Sequence, residues 1–260
     1  MRIATWNING VRARLEFALR WLAERKPDVV ALQETKLADE QFPSDAFEAA
    51  GYRVAAYGQK AWNGVAILSR WPIRVCQRGL PGQDAFGARL LSVETAGLAL
   101  TSLYCPNGKS TDHEDFPKKL AWLDDLVRHF GPVAKREQPL VLGGDFNVCP
   151  AAIDSCDEAA LRGQIFHTDA ERQRFRALLE CGFSDVFRSL HPEQVAFSWW
   201  DYRGGAFHRG LGLRIDLLLA NAAALARVRS VEIDREFRKK QDGLTPSDHA
   251  PVLADLDDPS

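Results

Sequence analysis

The sequence lacks the features that mark several large classes of protein. Its 260 residues include only five cysteines, an odd number, with no Cys-x-x-Cys pair and no Cys/His spacing typical of a metal site. Cysteines scattered in this way are typical of reduced thiols in a cytosolic protein. No apolar run approaches the roughly 18 residues of a membrane span, and the N-terminus has no signal-peptide pattern. The sequence therefore predicts a soluble, cytoplasmic protein with no membrane partner and no disulfide framework.

The chain also lacks the basic excess of a typical nucleic-acid-binding protein. Its formal net charge is -2, whereas proteins that neutralise phosphates usually carry a clear positive footprint. A nucleic-acid partner remains possible, because many of the acidic residues that lower the net charge fall in a candidate metal site or in the C-terminal tail. Any single basic residue is more commonly a solvated surface group. Basic residues in predicted loops and at element ends are Arg12, Arg14, Lys109, Lys118, Lys119, Arg203, Arg209 and Arg214.

No internal repeat, low-complexity block or linker divides the chain, so we expect one domain spanning 1–260. Short β-rich runs are separated by amphipathic helical patterns and by hairpin-length gaps. This mixture predicts an α/β fold in which sheets pack together and are flanked by helices. The predicted strands lie at 3–6, 29–33, 64–68, 90–93, 99–103, 140–143, 213–219 and 251–253. The helical stripes lie at 15–22, 120–127 and 175–179.

Polar side chains stand where several predicted strands end. Asn7 ends the first strand and Glu34 follows the second. Asp145 and Asn147 follow a third strand, after two glycines, and alternation along an extended chain places them on one side. Polar residues grouped at the rim of a sheet can form a catalytic or metal-binding site. Taken singly, each one is more commonly a cap, a turn residue or a surface acid.

Two further acids strengthen that pattern. Asp216 lies inside the otherwise apolar predicted strand 213–219, where a charge is costly unless it is paired, hydrogen-bonded or bound to a metal. Asp248 and His249 form an Asp-His pair just before the last strand. Hard oxygen ligands suit Mg²⁺, and the scattered histidines argue against zinc. The candidate ligands are Glu34, Asp145, Asn147, Asp216 and Asp248.

Seven sequence blocks, in order, resemble the exonuclease III family within the larger group of magnesium-dependent endonuclease/exonuclease/phosphatase folds. The Gly-Asp-x-Asn and Ser-Asp-His blocks belong to the wider group and would equally fit sphingomyelinases, inositol phosphatases or deadenylases. The Asn-Gly-Val-Arg, Gln-Glu-Thr-Lys and Trp-Asp-Tyr-Arg blocks are narrower and indicate the DNA-repair branch. The blocks lie at 6–12, 32–36, 58–66, 144–147, 198–203, 212–216 and 246–251.

The resemblance implies a four-layer α/β sandwich, with two mixed β-sheets packed together and flanked by helices. It implies a Mg²⁺-dependent (or Mn²⁺-dependent) DNA phosphodiesterase of base excision repair. The expected activities are 3'→5' exonuclease on double-stranded DNA, removal of 3'-phosphates and other 3' blocks, and incision at abasic sites, in proportions that the sequence leaves open. The implied partner is double-stranded DNA with nicks, 3'-blocked ends or abasic sites, without an obligate protein partner.

The resemblance also implies roles for individual residues. Glu34 is the principal metal ligand, with Asn7 close by and with Asp145, Asn147 and Asp248 as further candidates. Asp145 orients or deprotonates the attacking water, and Asn147 holds a phosphate oxygen or that aspartate. Asp216 and Asp248 complete the acidic cluster, and His249, oriented by Asp248, contacts the scissile phosphate. Tyr104 and Asn107 contact phosphate or assist the leaving oxygen.

Aromatic and basic side chains near these blocks are candidates for DNA contact. Rings stack on exposed bases or sugars, and cationic groups bind backbone phosphates. For either tryptophan alone, a place in the hydrophobic core is about as good an explanation. The candidates are Arg12, Asn107, Lys109, Trp199, Trp200, Tyr202, Arg203 and Arg209.

One segment departs from the family pattern. Residues 165–170 read Ile-Phe-His-Thr-Asp-Ala, where many members carry a small residue followed by Phe and a Pro-containing turn. If this loop borders the pocket for an abasic sugar, Phe166 and His167 would narrow it, so 3'-end processing would exceed abasic-site incision. Alternatively, His167 folds outward as a solvated residue or binds phosphate.

The sequence is also compatible with two other functions. A phosphatase or diesterase acting on lipid or inositol phosphates would share Glu34, Asp145, Asn147, Asp216 and His249, but it has no use for the Trp-Asp-Tyr-Arg block. A non-catalytic DNA-binding module would be expected to have lost some of the catalytic positions, and here each is occupied by a competent residue.

Overall fold

The computed structural model describes residues 1–258 and consists of two six-stranded sheets with helices on their outer faces. The strands are β1 (Arg2–Asn7), β2 (Val29–Gln33), β3 (Arg53–Tyr57), β4 (Val65–Ser69), β5 (Arg74–Arg78), β6 (Leu90–Thr95), β7 (Leu98–Tyr104), β8 (Leu140–Asp145), β9 (Phe183–Asp185), β10 (Asp216–Asn221), β11 (Val228–Ile233) and β12 (Val252–Leu256). The α-helices are α1 (Val11–Arg25), α2 (Ser44–Ala49), α3 (Asp115–Phe130), α4 (Glu158–Leu161), α5 (Asp169–Glu180), α6 (Val186–Leu190), α7 (Ala206–Arg209) and α8 (Ala222–Leu225).

Both sheets are mixed, and each contains one parallel pair near its centre. The first has the order β11-β12-β1-β2-β4-β3 and the second the order β5-β6-β7-β8-β10-β9. β1 runs parallel to β2, and β7 runs parallel to β8, while the other pairs are antiparallel. The carboxyl ends of each parallel pair therefore lie at the same edge of their sheet.

Three apolar clusters separate four layers. One lies between the two sheets and includes Val29, Ile67 and Leu100. A second joins the first sheet to α1 and includes Trp6 and Trp21, and a third joins the second sheet to α3 and α5. The inner strands are buried on both faces, which explains their continuous apolar sequences. The structure confirms the predicted two mixed sheets flanked by helices.

All eight predicted strands and all three predicted helical stripes are present, with shifted ends. The strand expected at 213–219 begins only at Asp216, because the backbone of Leu213 pairs instead with Ser155 and Trp199. Asp216 therefore lies at the start of a strand, not inside it. The sequence reading missed β3, β5, β9 and β11, which are the four edge strands of the two sheets. Edge strands carry more polar residues because one side lacks a neighbour, so their apolar pattern is weak.

Within residues 1–258, no helix is both long enough and apolar enough to span a bilayer.

Candidate active site

Strands from both sheets deliver polar side chains to one rim of the sandwich. Asn7 ends β1 and Glu34 follows β2 directly. In the second sheet, Tyr104 lies opposite Asp145, which in turn lies opposite Asp216. Residues directly opposite one another on adjacent strands point to the same face of a sheet. The register therefore places Tyr104, Asp145 and Asp216 side by side.

The backbone at this rim is held in uncommon conformations. Glu34 has φ 51° and Asn147 has φ 47°, in the left-handed region that residues other than glycine seldom adopt. Strain of this kind persists where the surrounding structure enforces it, often at functional sites. A Cβ added to Gly144 would lie 2.0 Å from the carbonyl oxygen of Leu103. That glycine therefore allows close approach of β7 and β8.

One amide links the two central carboxylates. The Nδ2 group of Asn7 donates hydrogen bonds to Glu34 Oε1 at 2.9 Å and to Asp145 Oδ2 at 3.0 Å. The backbone N–H of Asn147 donates to Asp145 Oδ1 at 2.9 Å. Asn7 is fully buried, so its position is fixed by the core beneath it. The sequence-predicted residues Asn7, Glu34, Asp145 and Asn147 thus form one connected cluster.

Glu34 is an ionised oxygen donor. Burial alone would raise the pKa of its carboxyl, but the charge of Lys36 and the hydrogen bonds from Asn7 and Lys36 outweigh burial and lower it. Lys36 Nζ lies 2.8 Å from Glu34 Oε2. Glu34 is therefore a carboxylate at neutral pH and is available to a cation.

Asp145 has the opposite shift. Its carboxyl is almost completely buried, and burial, with the repulsion of Asp216 and Glu34, raises its pKa to about 7 against the attraction of His249. A carboxylate that takes up a proton near neutral pH suits a general base. The environment of Asp145 therefore gives it a basicity that Glu34 does not have.

His249 is oriented by Asp216, and the predicted orientation by Asp248 is wrong. His249 Nδ1 lies 2.9 and 3.0 Å from the two carboxylate oxygens of Asp216, and Ser198 Oγ donates to Asp216 Oδ2 at 2.6 Å. The carboxylate of Asp248 is instead taken up by hydrogen bonds from Asn9 and Trp199. Burial opposes protonation of His249, but the charges of Asp216 and Asp248 outweigh it and raise the imidazole pKa to about 10.

Asp248 stands at the margin of the cluster. Asn9 Nδ2 donates to one carboxylate oxygen at 2.8 Å and Trp199 Nε1 to the other at 3.1 Å. Burial would raise the pKa of Asp248, but the charge of His249 and these two hydrogen bonds lower it. Asp248 thus adds negative charge beside His249 without contacting its ring nitrogens.

The donor atoms suit a hard cation. One ligand atom each from Glu34, Asp145 and His249 lie within 4.8 Å of one another. Asp216 occupies Nδ1 of His249, and the charges of Asp216 and Asp248 raise the pKa of the imidazole, which favours the protonated ring over a metal ligand. The available donors are then carboxylate oxygens, which fit Mg²⁺ or Mn²⁺ better than zinc. Asp248, a predicted ligand, lies outside this compact group.

Tyr104 and Asn107 lie on the other side of Asp145. Burial, together with the charges of Glu34 and Asp145, raises the pKa of Tyr104 well above its ordinary value, so its hydroxyl remains a hydrogen-bond donor. Asn107 is exposed, and its Nδ2 lies 3.4 Å from Asn147 Oδ1. Tyr104, Asn107 and Lys109 line an open groove of about 780 Å³ beside the cluster.

Among the candidate DNA contacts, Trp200 is misassigned. It is only 1% exposed and packs edge-on against Phe207, with ring centroids 5.0 Å apart. Trp199 is partly exposed, with its ring centroid 6.4 Å from that of His249, and Tyr202 is 46% exposed. A buried ring offers no face for stacking, so only Trp199 and Tyr202 remain aromatic candidates. The exposed basic candidates are Arg12, Lys109, Arg203 and Arg209.

His167 is buried, which excludes the outward, solvated orientation. Its Nε2 lies 3.0 Å from Ser155 Oγ and its Nδ1 lies 3.1 Å from the carbonyl oxygen of Ile165. Burial lowers the pKa of His167, so it is neutral at physiological pH. The backbone oxygen of Phe166 accepts a hydrogen bond from Cys149 N–H at 2.9 Å, which places this loop close to the loop after β8 that carries Asn147.

The sequence reading assigned no role to four residues that the site uses. Asn9, Lys36 and Ser198 lie within motif blocks, so the blocks contained a signal for them. Lys119 lies in α3, and nothing in the sequence distinguishes it from Lys118 beside it. Only the packing of α3 against the site loops gives Lys119 its contacts.

Comparison with known proteins agrees with this geometry. The model of the Endonuclease/Exonuclease/phosphatase family matches residues 4–249. Exodeoxyribonuclease III from Haemophilus influenzae is 35% identical, over 98% of this chain and 100% of its own. A solved 3' phosphatase from Neisseria, bound to a product DNA hairpin, is 39% identical with a TM-score of 0.94, over 99% of each chain. An AP endonuclease from Archaeoglobus fulgidus is 35% identical with a TM-score of 0.94, over 99% of each chain. The chain therefore belongs to the endonuclease/exonuclease/phosphatase family and, within it, to the exodeoxyribonuclease III group.

Proposed function

We propose that this chain is a Mg²⁺-dependent DNA-repair nuclease that hydrolyses phosphate esters at 3' ends and nicks of double-stranded DNA. The observation that carries the proposal is geometric: at one rim, Nε2 of His249 lies 3.9 Å from Oδ2 of the buried Asp145, while Asp216 holds Nδ1 of the same ring. Hydrolysis of a phosphodiester needs both a base for water and cationic donors for the phosphate. Mn²⁺ would serve the same oxygen donors.

Asp145 is the proposed base. Its Oδ2 atom takes the proton of a water that attacks the phosphorus atom, while Asn7 and Asn147 hold the carboxylate through hydrogen bonds to both oxygens. Fixing the carboxylate in this way keeps the lone pair directed at the water position and lowers the cost of reaching the attack geometry. Asp145 is thus oriented from two sides before substrate binds.

Glu34 and Asp145 would hold the divalent cation, with Asn7 beside them. When bound, the cation would neutralise charge on the phosphate. Lys36 keeps Glu34 ionised, so that the ligand is available at neutral pH.

His249 is the proposed phosphate donor. Asp216 holds its Nδ1–H, which leaves Nε2–H free to donate to a phosphate oxygen. Its Nε2 lies 3.9 Å from Asp145 Oδ2, so base and donor are adjacent. Tyr104 and Asn107 would donate hydrogen bonds from the opposite side to the phosphate or to the leaving oxygen. Charge that develops on the phosphate would then meet fixed donors on both sides.

The DNA duplex is proposed to lie across this rim. Trp199 and Tyr202 present rings, and exposed cationic side chains would bind backbone phosphates on both sides of the scissile bond. The proposed phosphate contacts are Arg12, Lys109, Arg203 and Arg209. This local charge would offset the net charge of -2.

The ratio of activities is proposed to favour 3' ends over abasic sites. His167 follows Phe166, whose backbone oxygen accepts from Cys149 N–H beside the loop that carries Asn147; a flipped abasic sugar is proposed to need room there, whereas a 3' end would not. Replacing His167 with Gly should raise abasic-site incision relative to 3'-phosphate removal. Ser155→Ala is the matched control, because it removes the hydrogen bond to His167 but keeps the ring; an unchanged ratio in His167→Gly means that His167 is not a gate.

The function as a whole is tested by rates on three duplexes, which carry a 3'-phosphate nick, a recessed 3' end and an internal abasic site. Each is incubated with Mg²⁺ and with EDTA. We expect cleavage that EDTA abolishes, fastest at the 3'-phosphate. Intact DNA in the presence of Mg²⁺, with release of phosphate from an inositol phosphate, would establish the lipid or inositol phosphatase alternative. DNA binding without hydrolysis of either would indicate a binding module.

We further propose that residues 1–260 act as one catalytic domain in the cytoplasm. All five cysteines are free, including the exposed Cys76, which suits a reducing compartment. Limited proteolysis that releases a stable, active fragment would contradict the single domain.

A further inference from the structure

A buried ion pair lies next to the two loops that carry Asn107 and Asn147. Lys119, on α3, has a fully buried side chain and pairs with Glu171, which is equally buried on α5. Its Nζ group donates to the backbone oxygen of Asn147 at 2.6 Å and to that of Asn107 at 3.1 Å. One ammonium group therefore connects α5 with the two loops that carry the site amides.

Glu171 extends the connection to a third loop. Its Oε1 accepts the backbone N–H of Phe166 at 3.1 Å, and its Oε2 accepts the backbone N–H and the hydroxyl of Thr168 at 3.1 and 2.6 Å. These bonds hold the segment that contains His167. The ion pair thus joins the loop at Asn107, the loop at Asn147 and the segment at 166–168.

The chain makes room for the lysine at Gly108. A Cβ there would lie 3.0 Å from Lys119 Cδ, and Gly108 has φ +85°, so a side chain at this position would be strained and crowded. The ring of Phe166 lies 4.8 Å from Lys119 Nζ on the other side. The lysine is therefore enclosed by the loops whose backbone it binds.

Stability by itself is a weak explanation for this arrangement. Two buried charges lose their hydration, and apolar side chains of similar volume often stabilise a fold as well or better. The ion pair instead fixes the positions of the groups around it. The three hydrogens of the ammonium group are matched by three acceptors, and two of these are backbone carbonyls in the site loops. Asn147 also bonds to Asp145, and its side chain meets that of Asn107.

We infer that Lys119 is a positioning residue for catalysis, which with Glu171 sets the relative places of Asn107 and Asn147. The inference deepens the proposed function and rests on it. Lys119 touches no substrate and acts through the backbone of the two asparagines. Loss of the lysine would leave the fold and the metal ligand Glu34 in place but move the amides that face the phosphate.

The test compares Lys119→Arg and the double variant Lys119→Met/Glu171→Gln with a control elsewhere. The double variant leaves no unpaired buried charge, so it avoids the main reason for misfolding. The control is Asn221→Ala, because Asn221 is also buried and also binds loop backbone, at the oxygens of Arg136 and Gln138, at 3.1 and 3.0 Å. Asn221 ends β10 at the edge of the sheet opposite Asp216.

For the double variant on the 3'-phosphate duplex we expect kcat to fall about 100-fold with KM within about threefold, because misplacement by an ångström costs rate more than binding. Lys119→Arg should keep part of the kcat that the double variant loses. Asn221→Ala should keep kcat within about twofold of wild type, even where its Tm falls as far as that of the double variant. The affinity for Mn²⁺, measured by calorimetry without DNA, should not change.

Equal kcat in the double variant and Asn221→Ala at matched loss of Tm would make the ion pair purely structural and overturn the inference. So would a loss carried by KM alone. Failure of the proposed function is distinguishable, because the wild type would then leave the duplex intact before any variant is compared.

Discussion

Replacing Asp145 with Asn should make the metal-free protein more stable while removing its activity. The wild-type carboxyl is almost fully buried, and its pKa is raised from 3.8 to about 7. Each unit of pKa difference between the folded and unfolded states corresponds to about 1.4 kcal/mol, so the ionised carboxylate costs the folded state about 4 kcal/mol above pH 7. An amide of the same shape removes that cost.

The substitution also loses a hydrogen bond. An amide nitrogen at the position of Oδ2 cannot accept from Asn7 Nδ2, which now lies 3.0 Å away. A buried donor left without its acceptor costs about 1–3 kcal/mol, so the net gain in the free energy of unfolding at pH 8 is about 1–3 kcal/mol. For a chain of this size, that corresponds to a rise in Tm of about 2–6 °C.

The sign of the pH dependence identifies the cause. Because the folded pKa is raised, the cost is absent below pH 3.8 and complete above about pH 7. The difference between Asp145→Asn and wild type should therefore grow by about 2–3 kcal/mol between pH 5 and pH 8. The assay is thermal unfolding in EDTA across that range. Asp255→Asn is the matched control, because the hydrogen bond from Arg2 lowers the pKa of Asp255. Loss of that carboxylate should therefore destabilise the protein above about pH 4, opposite to the effect of Asp145→Asn.

A lower Tm for Asp145→Asn at pH 8, or a difference that does not change with pH, would refute this account of the site. Turnover on every DNA substrate should fall about 100-fold or more, because the base is lost. Affinity for DNA should stay close to wild type, and an affinity loss that matches the rate loss would make Asp145 a binding residue.

Three other perturbations test the site. Glu34→Gln should raise the Mg²⁺ concentration needed for half-maximal rate, with partial recovery at high Mg²⁺, since one anionic ligand is lost; a wild-type metal dependence would reject the ligand assignment. Asp216→Asn should lower the pKa of His249 from about 10, so the rate should fall as pH rises above neutrality in the variant but not in wild type, as a pH–rate profile will show. Burial raises the pKa of the Cys105 thiol to about 12, so at pH 8 a disulfide reagent should modify the exposed Cys76 and spare Cys105 until the protein is unfolded; equal rates would contradict its burial.

Much of the fold followed from the sequence because the central strands are buried on both faces. Continuous apolar runs such as β2 and β4 have no other stable place than between packed layers. The three long helices showed clear stripes for the same reason, since one face of each must cover a sheet. The edge strands carried no such signal, because water replaces one of their neighbours.

The sequence alone also identified the residues Asn7, Glu34, Asp145, Asn147, Asp216 and His249, because polar groups after apolar strands are few and fall in recognisable blocks. What only the tertiary structure decided is how those residues pair. The resemblance implied that Asp248 orients His249, but bridges of Trp199 to Leu213 and to His249 bring the start of β10 beside the ring, and Asp216 holds it instead.

Burial was likewise a tertiary property. Trp199 and Trp200 are neighbours in sequence, and alternation along the extended chain turns one towards the site and the other into the core. Lys118 and Lys119 differ in the same way, since the helix turns by 100° per residue and only Lys119 meets the site loops. A local pattern specifies which residue types are present, but long-range contacts decide which of them share charge, hydrogen bonds and exclusion from water.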